Sequence, residues 1–420
     1  MSTEKTKPDI ARVVNEFVNT IDGLAMTLAV STKALSIDHD DAHKKIREFI
    51  DSHGIAGEKD GKKTFRISSH EFCHDFGIMK DDLDRLHAGM AAVPRGFFVA
   101  MVSQYDAFLG SLVSALIQLK PELLNASGCT LTYADLVRFG SLEAARDFVV
   151  ENELETLLRK SHAEQFKHLE NKFAIELRKG LPEWTTFVEL TERRNLLVHA
   201  DGVVSNQYIT NCRDNGVKLD ETIRPGVKLE LPADYFRKAY WALFQIGVKL
   251  SQALWRKIAP QQAEEADSNL AEISYNLLRD RRYRRATALL DFADTVLAKR
   301  HANEKYRLMF LVNRALVYYL RADKAKCAEI LDTQDWTAAS LVYQLAESVL
   351  RERFDESAGI VKKIGANSSP HKADYLHWPL FAEFRKSPQF AEAFKLTFGD
   401  ESHEEEVPGP EPPPIEPTVQ

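Results

Sequence analysis

Arg193, Arg194, Asn195 and His199 fall within seven residues, in the run Glu192-Arg-Arg-Asn-Leu-Leu-Val-His199. Histidine is the side chain whose unperturbed pKa, about 6.5, suits proton transfer near neutral pH. Arginine stays protonated and offers a planar fork of donors to phosphate oxygens. An amide beside them can orient an imidazole or hydrogen-bond a phosphate. A proton mover and a fixed cation are what attack by a neighbouring hydroxyl on a phosphodiester requires, with no metal involved. A positioned acid–base group contributes about 10²–10⁴-fold. Electrostatic stabilisation of the phosphorane would supply much of the rest.

These residues need a helix to place them. Trp184, Phe187, Val188 and Thr191 recur at steps of three and four, which predicts a helix packed on a core, from Trp184 to His199. Pro182 suits its first turn and Gly202 its ending. Asn195 and His199, four apart, share a face, so their side chains can meet. Arg194 is five before His199, so either its side chain reaches across or the helix stops near His199.

With its context, Phe187-x-x-Leu-x-Glu-x-Arg194-Asn195-x-Leu-Val-His199 followed by a small-residue turn and Tyr208-Ile209, the run resembles the Arg-x4-6-His motif of the HEPN superfamily (higher eukaryotes and prokaryotes nucleotide-binding domain). The resemblance extends over about residues 95–262. It implies a helical bundle and a metal-independent endoribonuclease working as a homodimer, the motifs of two protomers lining one cleft. It implies that RNA is the partner and that the products are a 2′,3′-cyclic phosphate and a 5′-hydroxyl. His199 would move the proton, Arg194 would stabilise charge on the phosphate, Asn195 would orient one of them, and Arg193 would add a substrate-backbone contact. No cofactor or metal is implied. Such modules often act as toxins or antiviral effectors. The alternative is a catalytically inactive HEPN-like dimeric scaffold.

The chain's 420 residues have room for two or three domains. The overall fold expected is mostly all-α. Residues 1–94 read as a small mixed segment: Ile10 to Leu35 has helical spacing, and Asp60-Gly-Lys-Lys-Thr-Phe-Arg-Ile-Ser reads as a turn feeding a strand. Residues 95–262 form the bundle. Phe97 to Leu119 is a nearly continuous apolar helix ended by Pro121. Helices over Tyr133–Phe139, Leu142–Leu158 and Ala163–Leu177 precede the motif helix. Asn-Gly and Pro-Gly signals between Asn206 and Pro232 suggest a hairpin, and Tyr235–Trp255 is a further amphipathic helix.

Residues 263–399 hold a degenerate repeat. Small residues at Ala286, Cys327 and Ala358 stand 41 and 31 apart, bracketing the tetratricopeptide period of roughly 34. This stretch resembles a short tetratricopeptide-like α-solenoid, a surface for a protein partner or trigger, closed by a hydrophobic segment from Trp378 to Phe398. Residues 400–420 form an acidic, proline-rich tail, expected to stay unfolded.

The formal charge of −7 is concentrated: residues 401–420 hold six acidic residues and no Lys or Arg, leaving about −1 for the rest. A globally basic nucleic-acid binder is excluded; local basic patches are not. Four scattered cysteines lack metal or disulfide spacing. No signal-type or membrane-span run is evident, so a cytoplasmic location is expected. His70-Glu-Phe-Cys-His74 matches the H-E-x-x-H zinc-protease signature, but Lys80 stands where a third ligand would follow Gly77. The bland alternative is a solvated helix start capped by Ser69. Arg279, Arg281, Arg282, Arg284 and Arg285 cluster at an expected turn, either a grip for RNA or an acidic partner, or a solvated loop face.

Overall fold

A computed structural model describes residues 9–59, 62–126, 128–179 and 181–399. These residues form sixteen α-helices and one two-stranded sheet. The chain is mostly all-α, as its periodicity implies. It divides into two compact units: residues 1–274 with 295–303, and residues 275–294 with 304–420.

The first unit is organised around α8 (Ala233–Ile258). From Ala242 to Gln252 every residue of α8 is buried, so it is enclosed by other helices on all sides. Around it pack the start of α1 (Ile10–His53), the end of α2 (His70–Leu119), α5 (His162–Phe173) and the motif helix α6 (Trp184–His199). Close approach of α1 and α8 depends on Gly247. A β-carbon there would stand 2.2 Å from the ring of Phe17, which is itself stacked on Phe108 at 4.3 Å. α4 (Leu142–Leu158) packs on α2, and α3 (Tyr133–Phe139) packs on α4. Both begin at hydroxyl caps, Thr132 and Ser141, that accept from the third backbone N–H beyond.

The helices expected over Tyr133–Phe139, Leu142–Leu158 and Trp184–His199 have those bounds in the structure. The segment after α6 differs from expectation. Instead of a hairpin, Ser205 caps a short helix, α7 (Asn206–Asp214), and the only pairing nearby among the described residues is the bridge Val203–Lys228. The turn residues are real, but Tyr208 and Cys212, four apart, are both fully buried and hold the segment as a helix against Leu196, Val204 and Leu229.

The N-terminal residues are not a separate segment. α1 runs 44 residues and α2 runs 50, passing through the expected boundary at 94–95 without a break. They pair antiparallel and are joined by a hairpin of β1 (Ile55–Lys59) and β2 (Lys62–Arg66); the turn at Asp60-Gly61 lies outside the described residues. Beyond Leu28 on α1, and before Phe98 on α2, no residue is fully buried. The two helices form an arm there. Its seam follows alternating steps of four and three: Leu35, His39, Ala42, Ile46, Phe49 and His53 against Phe72, Phe76, Met79, Leu83, Leu86 and Met90. This is coiled-coil spacing. By length and composition α2 is apolar enough to cross a membrane; its apolar half is the stretch from Phe98 to Ile117 that the bundle buries.

The expected boundary at 262 falls instead within α9 (Ala263–Arg279), whose first three turns belong to the first unit. Asp267 explains this. Its carboxylate is fully buried, accepting from Arg256 at 2.7 Å, from the Ala302 N–H at 2.7 Å, and bonded to His301 at 2.7 Å. It ties the 295–303 segment to α8. Burial alone would raise the Asp267 pKa; His301, the Ala302 N–H and Arg256 outweigh it and hold the carboxyl below its usual range.

The second unit contains α10 (Tyr283–Asp291), α11 (Glu304–Leu320), α12 (Lys324–Leu331), α13 (Leu341–Leu350), α14 (Phe354–Ile364), α15 (Lys372–His377) and α16 (Pro388–Phe398). Three turns repeat one geometry. Arg281, Ala322 and Glu352 take left-handed φ of 57°, 63° and 59°. Each turn pairs a 6→1 with a 5→2 backbone bond, as in Arg282→Leu277 with Arg281→Leu278, Asp323→Tyr318 with Ala322→Tyr319, and Arg353→Ser348 with Glu352→Val349. These are Schellman endings built without glycine. Ala286, Cys327 and Ala358 are buried, as close packing of successive helices requires. α16 closes the unit against α14, with Phe384, Phe390 and Phe394 inside. The acidic tail lies outside the described residues.

Two outcomes follow from this packing. Gly247→Ala should lower stability by about 1–3 kcal/mol, because neither the Phe17 ring nor α8 has room to move, and urea unfolding measures it. Asp267 has a depressed folded pKa. Its contribution is therefore present above the unfolded value, about 3.9, and is lost as pH falls through the folded one. Asp267→Asn should cost about 3–5 kcal/mol at pH 7 by leaving Arg256 buried and unmatched. It should also lose less stability than the wild type on acidification to pH 3, which urea titrations at the two pH values decide.

Candidate functional site

α6 presents its residues in two directions, and the adjacent arginines part company there. Arg193 is 8% exposed. Its Nε donates to Glu189 at 2.7 Å, its Nη1 to the Glu230 carbonyl at 2.9 Å, and the guanidinium lies 3.9 Å from the centre of the Tyr235 ring. Glu189 also accepts from the hydroxyls of Tyr208 at 2.7 Å and Tyr235 at 2.6 Å. Burial, then the Glu189 carboxylate, push both phenols above their ordinary range. The expected substrate contact by Arg193 is therefore corrected. Its donors are directed at the interior, where they match a buried carboxylate and join α6 to α8.

Arg194, one residue and about 100° further round, faces α2 and α5. Its Nη2 donates to Asp106 Oδ2 at 2.5 Å and its Nη1 to Asn195 Oδ1 at 3.2 Å; its Nε is enclosed and has no hydrogen-bond partner among the described residues. The other oxygen of Asp106 is bonded to His162 Nε2 at 2.8 Å. Asp106 thus bridges a guanidinium and an imidazole, three side chains from three helices. Tyr105, beside Asp106, is fully buried among His162, Phe187 and Phe108, and its hydroxyl has no hydrogen-bond partner among the described residues.

His199 ends α6. It is exposed and makes no hydrogen bond or ion pair to any described residue. The helix stops there because the Ala200 and Gly202 N–H groups both return to the Leu196 carbonyl, and Gly202 takes a left-handed φ of 81° that strains any other residue, with the Leu229 carbonyl 3.1 Å from where a β-carbon would stand. Asp201, between them, accepts from Arg95 at 2.6 Å and Lys228 at 2.5 Å. Hydrogen bonds from Lys228 and Arg95 hold its carboxyl below the usual range. Val198 and Val203, on either side, are 48% and 37% exposed.

The structure gathers Arg194 and Asn195 but not His199, which forms no bond to Asn195. Asp106 and His162 escaped the sequence reading. Asp106 lies inside an apolar helical run and His162 at a helix start, and neither position has spacing that marks it as a neighbour of Arg194. The one available signal was an isolated aspartate in the buried stretch from Phe98 to Ile117, where a charge needs a partner.

Other candidates are not assembled for chemistry. Cys212 is fully buried, and burial, with Glu189 and Glu192, pushes its thiol up to about 12. His70 and His74 lie exposed on the first turns of α2, with Ser69 as the cap. Among the described residues, no group of three or more His, Cys, Asp or Glu side chains could hold a metal ion. The arginine cluster forms the first of the three left-handed turns, with Arg279 paired to Asp280 at 3.1 Å. No family model, curated protein or solved structure matches this chain.

Replacing Arg193 tests its interior role. Arg193→Ala should cost about 3–5 kcal/mol by stranding Glu189 in the core, whereas Arg194→Ala, at a half-buried pair, should cost less. Parallel denaturation of the two variants ranks them, and equal losses would contradict the assignment.

Proposed function

We propose that this chain is a metal-independent endoribonuclease of the HEPN kind, acting as a homodimer. The observation that carries it is the state of α6: Arg194 is fixed by Asp106, while His199, five residues on, stands exposed and has no partner among the described residues. A fixed cation and an uncommitted imidazole at one helix end are the two groups that cleavage through the ribose 2′-hydroxyl needs.

The two side chains leave a regular helix about 140° apart. This favours a cleft made by two copies, in which the α6 ends supply both groups. Exposed Val198 and Val203 beside His199 offer apolar surface for such a contact. His199 takes the proton of the 2′-hydroxyl as its oxygen attacks phosphorus. The bond to the 5′-oxygen breaks, and that oxygen takes a proton from water as it leaves. Arg194 stabilises the charge that develops on the phosphorane, and Asn195 holds the guanidinium in orientation. The products are a 2′,3′-cyclic phosphate and a 5′-hydroxyl. RNA is the substrate, and a toxin or antiviral effector in the cytoplasm is the setting this reading favours. The second unit, in this reading a tetratricopeptide-like array, takes a protein partner or trigger.

The alternative is an inactive dimeric scaffold. One observation favours it: the Arg194 charge is already matched by Asp106. Cleavage of labelled tRNA and total RNA in excess EDTA separates the two. We expect the wild type to cut, and His199→Ala and Arg194→Ala to lose about 10²–10⁴-fold. Exposed His199 can be replaced within about 0.5 kcal/mol of wild-type stability. Intact RNA with the wild type would favour the scaffold, and equal cleavage by His199→Ala would remove that residue from the chemistry.

A further inference from the structure

Beside the end of α6, two cations from distant parts of the chain hold one carboxylate. Arg95, on α2, donates through Nη2 to Asp201 Oδ1 at 2.6 Å, and Lys228 donates through Nζ to Asp201 Oδ2 at 2.5 Å. Each cation thus takes a different oxygen of the same group. Asp201 lies two residues beyond His199, no more than about 7 Å along an extended chain. All three side chains are open to solvent, Arg95 at 32%, Lys228 at 54% and Asp201 at 65% exposure. Ion pairs this exposed contribute little to stability. Two positive charges on one negative leave one in excess, in a chain whose residues 1–400 carry about −1 in all. Asp201 also holds a left-handed φ of 49°, which aspartate tolerates better than most residues.

We propose that Arg95 and Lys228 are a backbone-phosphate site for RNA, next to the phosphodiester on which His199 acts, and that Asp201 is the internal anion which the RNA displaces. The inference rests on the proposed ribonuclease for the identity of the polyanion. The grip itself is already formed: a guanidinium and an ammonium hold an oxyanion by its two oxygens. A phosphodiester also presents two free oxygens on one centre and carries one negative charge, so it can take the place of the carboxylate. Arginine meets such oxygens with a planar fork, lysine with a compact point charge. Contacts of this kind set the position of a nucleic acid without reading its bases. Both cations come from fixed backbone. Arg95 belongs to the continuous helix α2, and Lys228 is bridged to Val203, with the Leu229 N–H donating to the Gly202 carbonyl at 2.9 Å. Asp201 keeps the two side chains aimed at a common point, which lowers the conformational entropy lost when a phosphate arrives. A phosphate held there adjoins the one at His199 and so sets the register of the strand at the bond to be cut.

The test is fluorescence anisotropy of a labelled, single-stranded 2′-O-methyl RNA with the full chain, over a series of salt concentrations. This probe has no free 2′-hydroxyl, so it reports binding without cleavage. We expect the wild type to bind, with an affinity that falls as salt rises. Arg95→Gln/Lys228→Gln should bind more weakly, and its log–log salt slope should be shallower by about 1.4, since each phosphate contact to a single strand contributes about 0.7. Lys44→Gln/Lys45→Gln makes the same change in net charge on the arm and should leave the slope as it was. Asp201→Asn keeps the side chain's size, suits the left-handed φ and removes the competing charge, so it should bind more tightly than the wild type. Helical circular dichroism should be the same for all four proteins. Absence of binding by the wild type at low salt, an unchanged slope for the Arg95/Lys228 variant, an equal loss of slope in the Lys44/Lys45 variant, or unchanged or weaker binding by Asp201→Asn would each overturn the site. RNA that is bound through these two residues yet never cut when unmethylated would sink the ribonuclease and leave the site; cleavage with an unaltered slope would do the reverse.

Discussion

A helix with no solvent-facing side must be wrapped by others, and α8 is such a helix between Ala242 and Gln252. Its enclosure sets the positions of α1, α2, α5 and α6. Gly247 lets α1 come close, with the ring of Phe17 taking the space a side chain would need. The buried charges of α8 are paired. Lys249 meets Glu183 at 3.0 Å, and Arg256 meets Asp267 at 2.7 Å. A buried charge left alone would cost several kcal/mol, so these pairs also specify which segments may pack there. That is how Glu183, at the start of α6, and residues 295–303 come to be fixed against the same helix.

The fate of the motif follows from that packing. Adjacent arginines on a helix point about 100° apart, so only one of them can face α8 and Tyr235. Arg193 does, and is spent on structure. Arg194 faces Asp106 and His162, a polar contact near the rim of the bundle where its side chain keeps partial exposure. The end of α6, set by Gly202, leaves His199 outside. One short run of residues thus divides into an interior anchor, a fixed cation and an uncommitted imidazole.

The arm obeys a different rule. It has no third layer to bury it, so α1 and α2 hold each other through a single seam with 3,4 spacing. The aromatic contacts of Phe49, His53 and Phe72 secure its tip. In the second unit, local backbone geometry recurs instead of a central helix. Three left-handed turns close alternate helices, α9, α11 and α13, by the same pair of hydrogen bonds, and small residues let neighbours approach.

Much of the local structure was determined by the sequence alone. Periodicity marks α3, α4 and α6 to the residue, because that signal arises from contacts three or four positions apart. The same holds for the mostly helical class and for the end of α6 at Gly202. The tertiary structure decided what those signals do not contain. The hairpin expected after Asn206 became α7, since burial of Tyr208 and Cys212 outweighs turn propensity. The boundary at 94 vanished, since α2 is continuous, and that at 262 moved into α9, since Asp267 draws the start of α9 into the first unit. Arg193 and Arg194 are the same residue type at adjacent positions, and nothing local distinguishes them. Their partners, Glu189 with Tyr235 and Asp106 with His162, are in part contributed by elements 40 to nearly 90 residues away. Only folding brings those charges within hydrogen-bond reach, and which arginine is buried is settled there.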